Sequence, residues 1–156
     1  MAHIVPTEGL DYLVNLALKN AESPDTLYLF LFSGGTATTV PAAAATLAVM
    51  GGTFAEADYT SYARVAVPTA DWGTIGDDTV WGQAVRAATA AQKSFPAAGA
   101  ADAAADINGF GVATASTGGV ALYYSNFDDV TGIPSLALGD IIRVTPTFGL
   151  ASAPSA

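Results

Sequence analysis

The sequence predicts a mainly β protein, an antiparallel β-sandwich or jelly-roll-like barrel with one short N-terminal α-helix. Three observations lead there. Short apolar segments recur along the chain, separated by Gly, Pro and Ser, which is the punctuation of an all-β sequence. Only one stretch, close to the N-terminus, repeats its apolar residues at helical spacing. At 156 residues the chain is long enough to bury a core as one domain, residues 1–156, and with no cysteine it must do so without disulfides or thiolate-bound metal.

The helix is expected over about residues 8–20. Thr7 can cap it after Pro6, Leu10, Leu13, Val14 and Ala17 form the i, i+3, i+4, i+7 stripe, and Lys19 complements the dipole in the last turn. Tyr12, Leu16 and Leu18 make it apolar beyond that stripe. Thr26 to Phe32 follows as a strand with Leu27, Leu29 and Leu31 on one face and Tyr28, Phe30 and Phe32 on the other. Both faces are apolar, so the strand is expected to be central in a layered structure or to face a partner; the helix can cover one face and a neighbouring subunit what remains.

Residues 36–58 are rich in Ala, Thr and Gly, with Leu47, Val49 and Phe54 as expected anchors. Strands are expected at Tyr62–Val67 and Thr79–Ala88, and a short edge strand at Gln92–Pro96, where Pro96 could not serve a central ladder. Ala97 to Ala105 reads as a loop that could hold a turn of helix, its alanines favouring helix and Gly99 interrupting it. Ile107–Thr114 and Val120–Ser125, joined through Gly118-Gly119, carry a hairpin signature. Asp140–Phe148 reads as the last strand.

Composition narrows the function. Hydrophobic residues make up 51% of the chain and charged residues only 12%, about half the usual charged share. The longest strongly apolar run, Leu27–Phe32, is far short of the ~20 residues of a membrane helix, and Met1-Ala2-His3 does not open a secretory signal. The apolar surplus is therefore expected to be buried against other protein subunits. A net charge of −9, with Lys19, Arg64, Arg86, Lys93 and Arg143 scattered singly, argues against nucleic acid and against an anionic membrane surface.

No catalytic constellation is expected. His3 is the lone histidine and sits at a terminus expected to be mobile, so no Ser-His-Asp triad is credible, and alone it cannot build a zinc site. The paired glycines lack the lysine and spacing of a phosphate cradle. Asp77-Asp78, Asp128-Asp129 and Asp102/Asp106 offer oxygen ligands for a hard cation, but none has a calcium-loop spacing, and Asp is common in turns for local reasons. No cofactor and no metal are expected. Tyr59, Tyr62, Trp72, Trp81, Tyr123, Tyr124 and Phe127 could build a sugar platform, though core and interface anchoring is the favoured role.

The order of features resembles a group of small virion structural proteins of tailed bacteriophages. It is carried by Val5-Pro6-Thr7-Glu8-Gly9-Leu10, Leu27-Tyr28-Leu29-Phe30, Tyr59-Thr60-Ser61-Tyr62-Ala63-Arg64-Val65, Phe95-Pro96-Ala97, Asn108-Gly109-Phe110-Gly111-Val112, Leu122-Tyr123-Tyr124 and Leu138-Gly139-Asp140 through Val144-Thr145-Pro146-Thr147-Phe148. In much of the group a Gly stands where this chain has Ser61. The resemblance implies a non-enzymatic virion protein made in the host cytoplasm. Capsid decoration is the first expectation, with the major capsid protein and the chain itself, as a homo-oligomer and possibly a trimer, as partners. The alternative is a tail or fibre component binding a host-surface glycan. The expected interface residues are Ile4, Val5, Pro6, Tyr28, Phe30, Phe32, Tyr123, Phe148 and Leu150, with the two termini acting as arms across a neighbour.

Overall fold

The computed structural model describes residues 3–19, 24–34, 40–51, 54–80, 83–96, 107–127 and 139–151. It is an antiparallel β-sandwich with one helix. The larger sheet is built on β2 (Thr26–Ser33), whose Leu, Phe and Tyr residues suit a strand packed on both sides. On one edge of β2 lie β8 (Ile107–Ala113), β9 (Ala121–Asn126) and β1 (His3–Ile4), in that order. The other edge is shared by β3 (Ala55–Glu56) and β4 (Val65–Pro68), which pair with opposite ends of β2. The second layer holds a three-stranded sheet, β5 (Gly76–Val80), β6 (Gln83–Thr89) and β11 (Thr147–Ala151), and a two-stranded one, β7 (Lys93–Ser94) with β10 (Arg143–Val144).

Alternation along β2 sorts its side chains into two cores. Leu29 and Leu31 join Val67, Phe95, Ile107, Phe110, Val112, Tyr123, Ile142 and Val144 between the layers. Phe30 and Phe32 join Leu47, Met50, Ala113, Ala121 and Tyr124 on the opposite face. Both faces are thus covered, as the sequence requires, but the chain does it alone. The Ala/Thr-rich stretch 40–51 supplies the second cover through Leu47 and Met50, with Phe54 edge-on to Phe32 at 5.9 Å. Val49 is no anchor; it points outward.

Two glycines make the Phe face possible. A Cβ on Gly111 would stand 2.2 Å from Cζ of Phe30, and one on Gly109 would stand 2.4 Å from Cζ of Phe32. The Phe rings lie directly over bare backbone of β8, an approach only glycine permits. Tyr124 then meets both rings edge-on, at 5.7 and 6.1 Å. The repeat Gly109-Phe110-Gly111 is therefore a packing pattern, with Phe110 directed to the other core.

Helix α1 spans Thr7–Lys19. Thr7 opens the helix rather than capping it from outside, and its N–H is taken by the carbonyl of Ala43 at 2.7 Å. The buried side also differs from the expected stripe. Tyr12, Leu13 and Leu16 face the sheet while Leu10 and Val14 face outward, because the helix is docked through Gly9, whose Cα lies against Ala121 and Leu122 of β9.

Three strand boundaries differ from expectation, each for a local reason. The strand expected at Tyr62–Val67 begins only at Val65, since Ser61 is left-handed (φ 73°) and the Tyr62 N–H closes a turn on the Tyr59 carbonyl at 2.8 Å. The strand expected at Thr79–Ala88 is a hairpin, with Val80 paired to Gln83. The final strand is split at Thr145-Pro146, β10 pairing with β7 and β11 with β6. Pro146 has no N–H to give a ladder, and its carbonyl accepts from Ala90 instead. The hairpin of β8 and β9 is as expected, with Gly118 (φ 59°) and Gly119 (φ 82°) in its loop. The loop expected at Ala97–Ala105 lies outside the described residues.

Candidate functional site

The feature with most chemistry is a charged network beneath the β8–β9 loop. Glu56 ends β3, and Arg64 directly precedes β4. Their side chains meet as a bidentate pair, Nε to Oε1 and Nη2 to Oε2, both at 2.7 Å. Nη1 of Arg64 donates to the carbonyls of Ala115 (2.8 Å) and Gly118 (2.7 Å) in the loop. The guanidinium also stands 5.7 Å from the centre of the Phe30 ring. Tyr62 donates to Glu56 Oε1 at 2.9 Å and accepts the Leu31 N–H at 3.1 Å.

The network is partly buried, the Arg64 side chain being 7% exposed and that of Glu56 25%. The hydrogen bonds that Arg64 donates to Glu56 raise its pKa above the ordinary range, against the effect of burial. Burial, reinforced by the Glu56 charge, raises the Tyr62 phenol far above its usual value. Arg64 thus fixes the loop through two main-chain carbonyls, and bidentate Arg geometry makes that hold directional. Above it lies an open depression of about 440 Å³ lined by Glu56, Tyr62, Ala63, Arg64, Ser116, Thr117 and Gly118. Exposed Ser116 and Thr117 bring hydroxyls to its rim. Sequence reasoning did not single out this site. The available signal was an Arg in an apolar segment of a charge-poor chain, which must find an acid if it is to be buried.

A second concavity, of about 420 Å³, lies between α1 and the layers. Tyr12, Leu13, Leu16, Leu27, Val67, Trp72, Ile75, Val112, Leu122 and Phe148 line it, so its character is apolar.

The expected interface residues are dispersed. Pro6, Phe30, Phe32 and Tyr123 are buried inside the chain's own fold, which removes the reason for assigning them to a partner. Ile4, Val5, Tyr28 and Phe148 are half-buried. The side chain of Leu150 lies outside the described residues. Near both ends the described residues pair within the chain's own sheets: His3 and Ile4 with Ser125 and Tyr124, and Gly149 to Ala151 with Ala87 to Val85. Residues 1–2 and 152–156 lie outside the description.

The described aromatic residues weighed as a sugar platform lie in the core or pack against it, Tyr62 also lining the depression. Tyr59, Tyr123 and Tyr124 are buried, while Tyr62, Trp72 and Phe127 pack against the interlayer cluster; Trp81 lies outside the described residues. Among the described residues no group of three or more His, Asp or Glu could hold a metal ion. Asp102, Asp106, Asp128 and Asp129 lie outside them, as do the side chains of Asp77 and Asp78. No described helix is long and apolar enough to cross a membrane.

The sandwich gives the fold, and a family match gives the class, a small structural protein of a tailed-phage virion, which the sequence motifs also resemble. Residues 10–147 match the family model of the podophage GP4 fiber I protein gp80, and the chain belongs to that family. No curated protein matches it.

Proposed function

We propose that this virion protein is a fibre component of the phage tail, with a host-surface glycan as its ligand and no catalytic step. The observation that carries the reading is the match to a fibre-protein family over residues 10–147. Capsid decoration, expected first from the sequence, has no comparable support, and the buried state of Phe30, Phe32 and Tyr123 removes part of its argument.

The depression over Arg64 favours a glycan as ligand. Its charges are paired within the protein, so a neutral ligand would leave no ion uncompensated. Its rim offers hydroxyls and main-chain groups on a loop that is held before the ligand arrives, which lowers the cost of binding.

Labelling intact particles with antibody against this protein, viewed by electron microscopy, tests the placement. Label confined to the tail is expected. Label spread in hundreds of copies over the shell would return the decoration reading. For the ligand, saccharides from the host surface are screened by saturation-transfer NMR. The double variant Ser116→Ala/Thr117→Ala should weaken binding about tenfold, the effect of losing two modest hydrogen bonds. Unchanged binding would remove the depression from the recognition surface.

A further inference from the structure

Protein interiors hold few voids larger than a water molecule, yet the interlayer core of this chain is open over about 420 Å³. Buried Val67, Val112 and Leu122 form one wall of the space, and Tyr12, Leu13 and Leu16 of α1 form another. Trp72, Ala88 and Phe148 line it from the side of the second layer, and Ile75, 63% exposed, marks its mouth. The helix is held from settling into the space, because its first turn is fixed against β9. Glu8 Oε1 accepts the N–H groups of Leu47 and Ala121, and a Cβ on Gly9 would stand 2.7 Å from the Ala121 carbonyl oxygen. The helix already touches the sheet there, so the later turns span the opening.

We propose that this cavity is a ligand site, separate from the depression over Arg64, for an uncharged apolar molecule of two or three rings. The inference goes beyond the fibre reading and does not depend on it.

Size, charge and lining each select that class. An apolar cavity of ~150 Å³ admits benzene, so this one offers about two to three times that room. It also falls within the ~300–1,000 Å³ of small-molecule sites. No described lining residue is charged, and the hydroxyl of Thr69 already donates to the Asp25 carbonyl at 2.8 Å. An ion brought here would lose its hydration without gaining a partner. Water is a poor occupant for a related reason, since a buried water needs about two to four polar partners. The lining itself favours rings. Tyr12 from α1, Trp72 from just before β5 and Phe148 from β11 bring three aromatic side chains to one space, and aromatic surfaces pair best with one another.

The test uses phenylnaphthylamine, which is uncharged and fluoresces when out of water, with its sulfonate, anilinonaphthalenesulfonate, as the charged counterpart. Saturable uptake of the neutral probe by the full chain is expected, with a rise in melting temperature because the folded state alone binds it. The sulfonate should bind about tenfold more weakly, the cost of burying its charge. Ala88→Leu fills part of the space and should raise the dissociation constant about tenfold, with a cooperative urea transition at or above the parent midpoint. Ile75→Asp, at the exposed mouth, should weaken uptake without disturbing the fold, whereas Val14→Ser, on the outward side of α1, should leave uptake unchanged. Naphthalene should displace the probe better than decanol does, and displacement by decanol alone would overturn the ringed class. Equal affinity for the sulfonate, or no saturable uptake, would overturn the site. So would loss of uptake in Val14→Ser, or an Ala88→Leu chain that binds as the parent does. Loss of the cooperative transition in Ala88→Leu would mean that the space is already filled, and would overturn it as well.

Discussion

Gly111 and Gly109 are positions where one atom decides the packing of a whole face. A methyl group at residue 111 would meet Phe30 Cζ at 2.2 Å and the Tyr123 carbonyl oxygen at 2.7 Å, so neither ring nor backbone can simply give way. Gly111→Ala should cost about 3 kcal/mol by overpacking, read as a lower urea midpoint, while Gly76→Ala, with nothing within 4 Å, should stay close to the parent. Ser61 is the reverse case. Its φ of 73° is strained for an L-residue. Relief of the left-handed penalty, offset by glycine's greater freedom when unfolded, should make Ser61→Gly about 0.5–1 kcal/mol more stable. Tyr124 presents a third case, since its buried hydroxyl has no hydrogen-bond partner among the described residues. Tyr124→Phe keeps the ring contacts with Phe30 and Phe32 and removes the unpaired group, so it should gain about 1 kcal/mol in the same assay. A loss there would show that the hydroxyl contributes to the fold.

Between elements, Glu8 is the main polar link. One oxygen, Oε1, accepts the N–H of Leu47 at 2.8 Å and that of Ala121 at 2.9 Å, so the first turn of α1 holds both the 40–51 segment and the start of β9. Residues 40–51 cover the Phe face with few large apolar side chains of their own, which makes this hold important to them. Glu8→Ala leaves two partly buried donors without an acceptor and should cost about 2–3 kcal/mol. Hydrogen exchange should quicken at Leu47 and Ala121 first, ahead of the β2–β8 ladder. Uniform loss of protection across the sheet would mean that the segment is held by other contacts.

Across the whole molecule, burial governs a set of tyrosines and hence the response to alkali. Burial raises Tyr59, pushes Tyr123 up to about 12, and lifts Tyr62 and Tyr124 further still. The folded state keeps these phenols neutral, whereas the unfolded chain releases their protons near pH 10. Their contribution is complete below pH 10 and is lost as pH climbs toward 12 and beyond, because above pH 10 the folded state binds more protons than the unfolded one. The urea midpoint should therefore be insensitive to these groups near neutrality and fall steeply above pH 10. A flat profile from pH 9 to 11.5 would contradict the buried environments assigned to all four.

Much of this architecture is legible in the residues themselves. Alternation in Thr26–Phe32 announces a strand apolar on both faces, and the paired glycines at 118–119 mark the last hairpin. These are local signals, set by backbone preference and by side-chain period within a few residues. What covers each apolar face is not local. The tertiary structure decided that Leu47 and Met50, in a stretch with no clear period, close the Phe face, and that Gly9 turns α1 so that Leu10 and Val14 look outward. It decided too that Arg64 and Glu56 meet beneath a loop more than fifty residues further on. Such outcomes depend on which distant surfaces the folded chain brings together, because an apolar or charged side chain is satisfied by whatever neighbour packing supplies. Periodicity states that a face must be buried, and only the assembled layers state what buries it.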